Sequence, residues 1–157
     1  MKLYHGSTVE IEHIDLSKSK PNKDFGRAFY LSDDREQALE MAIFKAEFED
    51  SAPVVNVFEF DESILSQLRF KQFEGYTEEW AQFVYDNRTA PDESTTHDYD
   101  IVYGPIANDR VGAQIARFKQ GYISFEEFLN RIRYIKGITF QYAFCTQRAI
   151  ENLIKVL

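Results

Sequence analysis

The sequence predicts a single domain of mixed α and β structure, and three observations carry that reading. The chain has 157 residues, the length of one core. Short β-branched and aromatic runs such as Val54 to Phe60 interleave with stretches of helical spacing such as Ala38, Leu39, Ala42, Ile43 and Ala46. With 14 Phe and 9 Tyr, the chain has enough large side chains to fill a core without disulfides.

Taken in order, Lys2 to Ser7 reads as a short strand that ends at the Gly6-Ser7 turn. Asp15 to Arg27 is polar, holds Pro21 and Gly26, and is expected to be a loop leading into a second strand, Ala28 to Leu31. Asp33 and Glu36 resemble a capping box for a helix from about Asp34 to Glu49. Val54 to Phe60 is apolar on both faces and so reads as a buried strand, with a further strand near Leu68 to Phe73. Thr77 can cap a helix in which Trp80, Phe83, Val84 and Asn87 share a face. Thr89 to Asp98 has the composition of an exposed loop, and Tyr99 to Tyr103 forms a strand that Gly104-Pro105 stops.

Val111, Ile115 and Phe118 give Asn108 to Gln120 a helical stripe, which Gly121 ends. The strongest start signal is Ser124 with Glu127, flanked by Ile123 and Phe128 as a hydrophobic staple, for a helix to about Ile135. Ile138 to Thr146 alternates, with Ile138, Phe140, Tyr142 and Phe144 on one face and Thr139, Gln141, Ala143 and Cys145 on the other. The second face is nearly bare, which leaves room for a cleft. Thr146 then caps a C-terminal helix docked by Ile150, Leu153, Ile154 and Leu157.

Composition narrows the function. One cysteine, Cys145, excludes an intrachain disulfide and a Cys-rich zinc site, and makes a reducing compartment the default. The N-terminus lacks the pattern of a signal peptide and no apolar run reaches membrane-spanning length, so the cytoplasm is the expected location. A formal charge of -8 disfavours general binding to a phosphate backbone. Phosphate-binding, hydrolase-elbow and zinc-helix motifs are missing, and His97, Asp98 and Asp100 read as a solvated group before a strand and not as metal ligands.

Three segments together suggest more. Leu3-Tyr4-His5-Gly6-Ser7, Phe25-Gly26-Arg27-Ala28-Phe29-Tyr30-Leu31-Ser32 and Phe140-Gln141-Tyr142-Ala143-Phe144 resemble, in order, the signature strands of the ADP-ribosyltransferase superfamily. The likeness is to its His-Tyr-Glu branch, which includes diphtheria toxin and the poly-ADP-ribose polymerases. Within it, a family of small bacterial domains is similar along nearly the whole chain, including Glu79-Trp80, Asn87-Arg88 and Asp100 to Pro105. The resemblance implies an α+β fold of split antiparallel β-sheets around an NAD cleft, with flanking helices.

It further implies an NAD-dependent mono-ADP-ribosyltransferase or NAD glycohydrolase, a toxin-like effector acting on an intracellular macromolecule. A small cognate inhibitor protein is implied in the same way. His5, Tyr30 and Gln141 take the catalytic positions, and His5, Gly6, Ser7, Gly26, Arg27 and Tyr30 the cofactor-binding ones. By this likeness His5 hydrogen-bonds a ribose, the Gly6 backbone holds the nicotinamide carboxamide and Tyr30 stacks on the ring.

Gln141 stands where the branch has Glu, and an amide can position a ribose but cannot act as a base. A second reading therefore stays open, a catalytically weak module that binds NAD, ADP-ribose or a partner protein. RNA 2'-phosphotransfer ranks last, because a polyanionic substrate matches -8 poorly. Each residue also has a plainer role: His5 as a structural histidine, Tyr30 as core, Lys23 and Arg27 as solvated charges. Asp100 is the nearest replacement carboxylate by motif.

Overall fold

The computed structural model describes residues 1–134 and 137–156. In chain order its elements are β1 (Lys2–Ser7), β2 (Phe29–Leu31), α1 (Arg35–Glu49), β3 (Val54–Glu59), β4 (Phe70–Gln72) and α2 (Glu78–Arg88). There follow β5 (Ile101–Pro105), α3 (Val111–Lys119), α4 (Phe125–Ile132), β6 (Phe140–Phe144), α5 (Gln147–Ile150) and β7 (Ile154–Lys155). The strands form two sheets, β1-β3-β7 and β2-β6-β5-β4. All pairings are antiparallel except β4 with β5, which is parallel, so the second sheet is mixed where purely antiparallel sheets were expected.

Alternation along the strands sorts the side chains into two cores. Leu3 and Phe58 of the first sheet meet Phe29, Leu31, Ile101, Tyr142 and Phe144 of the second in one apolar cluster. The other face of the second sheet, with Val102 and Ala143, packs on Trp80 and Val84 of α2, Ile115 of α3 and Phe128 of α4. Trp80 is wholly buried and donates its Nε1–H to Pro105 O at 3.0 Å, which satisfies the indole. α1 lies against β1, its small residues Ala38, Ala42 and Ala46 turned inward.

The two sheets touch at one backbone bridge. Tyr4 N donates to Ser32 O at 2.7 Å and Ser32 N to Tyr4 O at 2.8 Å. Here β2, which belongs to the second sheet, passes the first.

Several helix starts follow the side-chain chemistry read above. Thr77, Ser124 and Thr146 accept from Trp80 N, Glu127 N and Ala149 N, each at 3.1 Å. Other boundaries differ. The α1 cap is Asp34, which accepts from Glu36 N at 3.0 Å while Ser32 Oγ accepts from Asp34 N, so the start lies one residue beyond the Asp33 box. Ile43 is 42 % exposed instead of inward, because three alanines suffice for close contact with β1.

β5 runs through Gly104 to Pro105. A Cβ at Gly104 would stand 3.0 Å from Phe25 and 3.2 Å from Phe73, so the glycine admits two rings onto the strand rather than ending it. α4 ends at Ile132, where Arg133 turns extended; the expected end at Ile135 lies outside the described residues. The C-terminal helix is a single turn. Its chain then joins the free edge of β3, with Val156 N donating to Val57 O at 2.9 Å, and an open ladder of backbone groups outcompetes further helix. Ile154 is accordingly exposed rather than docked, and Leu157 lies outside the described residues. No helix among the described residues is long and apolar enough to cross a membrane.

Candidate functional site at the junction of the sheets

His5 sits where the sheets converge. Its ring stacks on Phe29 with centroids 4.2 Å apart, and Nδ1 lies 2.6 Å from Tyr30 O. A carbonyl only accepts, so Nδ1 holds the proton and Nε2 keeps a lone pair for an incoming donor. Burial, aided by the Lys45 charge, lowers the His5 pKa to about 4, and the imidazole is neutral at pH 7.

Tyr30 is tied at both ends. Its backbone carbonyl takes His5, while its hydroxyl donates to Gly26 O at 2.7 Å and accepts from Phe25 N at 3.0 Å. The hydroxyl thus closes the turn in which Gly26 has φ +89°, a conformation that favours glycine. Burial, with the nearby Asp24 charge, pushes the phenol well above its ordinary pKa. What Tyr30 can offer a ligand is ring surface, because both hydrogen-bonding roles of its hydroxyl are taken within the turn.

Register relates Gln141 to Tyr30. β2 pairs Tyr30 with Ala143, and β5 pairs Gly104 with Gln141, so Tyr30, Ala143 and Gln141 share one face of the second sheet. That face is not the bare cleft floor expected from its small residues. Ala143 is fully buried under the helical layer and Cys145 packs there too, its thiol pushed up to about 12 by burial and by Asp100. Gln141 lies at the border, half-buried, and its amide is in no hydrogen bond among the described residues.

The remaining predicted positions have local structural partners. A Cβ at Gly6 would overlap Ala38 O and stand 2.7 Å from Ala42 N, so the glycine is required by the approach of α1. The steric room that was expected to serve a carboxamide is filled by helix backbone. Gly6 O accepts from Lys45 Nζ at 2.8 Å. Ser7 Oγ accepts from Val9 N at 3.3 Å. Arg27 donates to Ser17 O at 3.2 Å and to Ser19 O, and pairs with Glu93 at 3.4 Å, which ties neighbouring loops together.

The end of α2 fixes the loop that carries Phe25 and Gly26. Arg88 binds Asp24 through Nε at 2.8 Å and a terminal nitrogen at 2.6 Å, and Asn87 Nδ2 donates to Asp24 O at 3.2 Å. His97 donates from Nε2 to Phe25 O at 2.8 Å and accepts at Nδ1 from Tyr99 N at 3.1 Å. It is a structural latch and not a solvated residue. Asp100 is likewise committed, accepting from Arg69 N at 2.9 Å and Thr146 Oγ1 at 2.7 Å. Burial would raise its pKa, but these bonds and nearby arginines hold it low. It precedes β5 at the end away from Gly104, roughly 13 Å from the Gln141 pairing at strand rise, and so cannot replace a carboxylate there.

Sequence reasoning missed Asp24 and Lys45. Asp24 had no signal, but Ala38, Ala42 and Lys45 share one helical face by spacing, which could have placed the lysine over β1. Among the described residues no group of His, Cys, Asp and Glu is arranged to hold a metal.

Two cavities of about 450 and 620 Å³ open elsewhere on the molecule, and neither is lined by His5, Tyr30 or Gln141. Residues 1–154 match the model of a family described as "Protein of unknown function (DUF3990)", and the chain belongs to that family. No curated protein and no solved structure matches it.

Proposed function

We propose that this DUF3990 member is an NAD-dependent mono-ADP-ribosyltransferase of α+β, split-sheet architecture, with NAD hydrolysis as the same reaction when water is the acceptor. The observation that carries the reading is the 2.6 Å contact from His5 Nδ1 to Tyr30 O, which joins two residues 25 positions apart at the meeting of the sheets. Register supports it by setting Gln141 on the face that Tyr30 uses.

In this reading the His5 Nε2 lone pair accepts from a ribose hydroxyl of the substrate NAD. The Tyr30 ring meets the cationic nicotinamide, whose charge an aromatic face attracts. The Gln141 amide orients the ribose near the scissile bond. The glycosidic carbon–nitrogen bond breaks with its electron pair leaving on nicotinamide. The acceptor oxygen or nitrogen then bonds to the ribose carbon and releases its proton to solvent. Without a carboxylate at position 141 the acceptor is not activated, which favours single-unit transfer over chain growth. The acceptor is an intracellular macromolecule in this proposal, and a small inhibitor protein would restrain a toxin-like effector.

One observation favours a second reading, a weakly catalytic NAD-binding module. Both carboxylate oxygens of Asp100 are engaged away from the junction, so this acid does not compensate for Gln141. Measuring nicotinamide release and the NAD-induced thermal shift separates the two. The transferase predicts a shift with turnover that Gln141→Ala abolishes; the module predicts a shift without turnover, and gain of hydrolysis in Gln141→Glu. Absence of any shift at millimolar NAD would overturn both.

A further inference from the structure

The 620 Å³ cavity lies between α3 and α4, and its lining is unlike the rest of this acidic chain. Arg110, Arg117, Arg131 and Arg133 border it, four of the nine arginines in a protein of net charge -8. Arg131 pairs with Glu127 at 2.7 Å. Arg110, Arg117 and Arg133 are exposed and make no ion pair among the described residues. Three guanidiniums without an ion pair among the described residues, set around one concavity, give it a local positive field that opposes the overall charge.

The arginines come from two segments that Asn108 bridges. Asn108 Nδ2 donates to Arg131 O at 2.6 Å and Arg133 O at 3.2 Å, and its Oδ1 accepts from Arg110 N at 2.9 Å. Asn108 N donates to Ile132 O at 2.8 Å. The backbone positions beneath the cations are therefore fixed before any ligand arrives, which reduces the ordering cost of binding.

A second observation specifies more than charge. Gln114 lines the cavity, is only 6 % exposed, and its Oε1 has no hydrogen-bond partner among the described residues. A buried acceptor without a donor is costly, and a ligand hydroxyl would satisfy it. Asp109, the one carboxylate in the lining, is a further acceptor for hydroxyls.

We propose that this cavity binds a small phosphorylated sugar, with the phosphate on the arginines and a hydroxyl on Gln114. The site is separate from the junction of His5, Tyr30 and Gln141, and does not depend on the NAD reading.

The test is titration calorimetry of the full chain with ribose 5-phosphate, inorganic phosphate and ribose. Ribose 5-phosphate should bind more tightly than phosphate, and ribose alone should not bind. The Arg110→Gln/Arg133→Gln double variant should weaken ribose 5-phosphate by about tenfold or more, since charge-assisted contacts are lost. Gln114→Leu, which removes the unpartnered acceptor, should retain phosphate affinity and lose the preference for the sugar phosphate. A thermal midpoint close to wild type confirms that each variant is folded; if the double variant is not, the exposed Arg117→Gln provides its reading, and if Gln114→Leu is not, Gln114→Glu, which keeps an acceptor but adds a negative charge beside the phosphate, should weaken phosphate and ribose 5-phosphate alike. Equal affinity of wild type and arginine variants would overturn the proposal, as would tighter binding of a 5'-phosphorylated oligonucleotide than of the sugar phosphate. Ribose 5-phosphate affinity should be unchanged in Gln141→Ala; its loss there would show that the cavity is not a separate site.

Discussion

The junction of the sheets and the arginine cavity differ in how far they satisfy their polar groups. At the junction, His5 Nδ1, the Tyr30 hydroxyl and Lys45 all have protein partners, and His5 is held neutral. At the cavity three arginines have no ion pair among the described residues, and Gln114 Oε1 has no partner. The junction thus commits most of its polar atoms to cohesion and leaves over only His5 Nε2 and the Gln141 amide, whereas the cavity leaves over its cations and a buried acceptor. Stability and ligand demand are concentrated in different parts of this fold, and substitutions should separate them.

The largest effect is expected at Gly6. Gly6→Ala drives a methyl into the α1 backbone, which cannot yield as a flexible side chain would, and should cost more than about 3 kcal/mol in urea unfolding. A midpoint unchanged from wild type would remove the junction's claim to cohesion.

His5 contributes next, through pH. Its pKa falls from 6.5 in the unfolded chain to about 4 in the fold, so the unfolded state binds the additional proton in this window. Stability from this group is complete above pH 6.5 and declines as pH falls toward 4, by roughly 3 kcal/mol at the lower limit. His5→Asn keeps a side-chain N–H but does not titrate, and its stability profile should be flatter by that difference. Parallel profiles for the two proteins would contradict the buried neutral imidazole.

Tyr30→Phe should have a smaller effect. It leaves Phe25 N and Gly26 O without the hydroxyl, at about 1–3 kcal/mol by the usual penalty for unpaired buried groups. A neutral substitution would mean that the turn is held by other contacts. At the far end of the scale, Arg117→Gln should change stability by less than about 0.5 kcal/mol, as surface substitutions do, while weakening ribose 5-phosphate in calorimetry.

Local chemistry explains what the sequence disclosed. The caps at Thr77, Ser124 and Thr146 are side chains bonding to backbone three residues on, and the β1 and β6 strands follow from alternation over a few positions. Gly104-Pro105 misled because the same glycine that marks a turn also admits Phe25 and Phe73 to a strand. The short α5 misled because the edge of β3, more than 90 residues earlier, decides the path of Ile154 and Lys155. His5 and Tyr30 are singled out in the sequence by a resemblance alone, and the hydrogen bond between them joins a side chain to a carbonyl, which residue pattern does not record. The arginine cavity was illegible for a related reason: Arg110 and Arg117 lie at the start of α3 and within it, Arg131 and Arg133 within α4 and just past its end, and Asn108 bridges the two.

The bridge between Tyr4 and Ser32 has a consequence for solvent exchange. Two backbone bonds span the division between the sheets, and each sheet otherwise closes its own ladders. Their amide protons therefore act as timers of separation: a transient parting that leaves both ladders intact releases Tyr4 N–H and Ser32 N–H to deuterium before the ladder amides of β6. An occupant that clamps the two sheets would slow those two timers selectively, so deuterium uptake at Tyr4 and Ser32 reads closure of the junction without any chemical turnover.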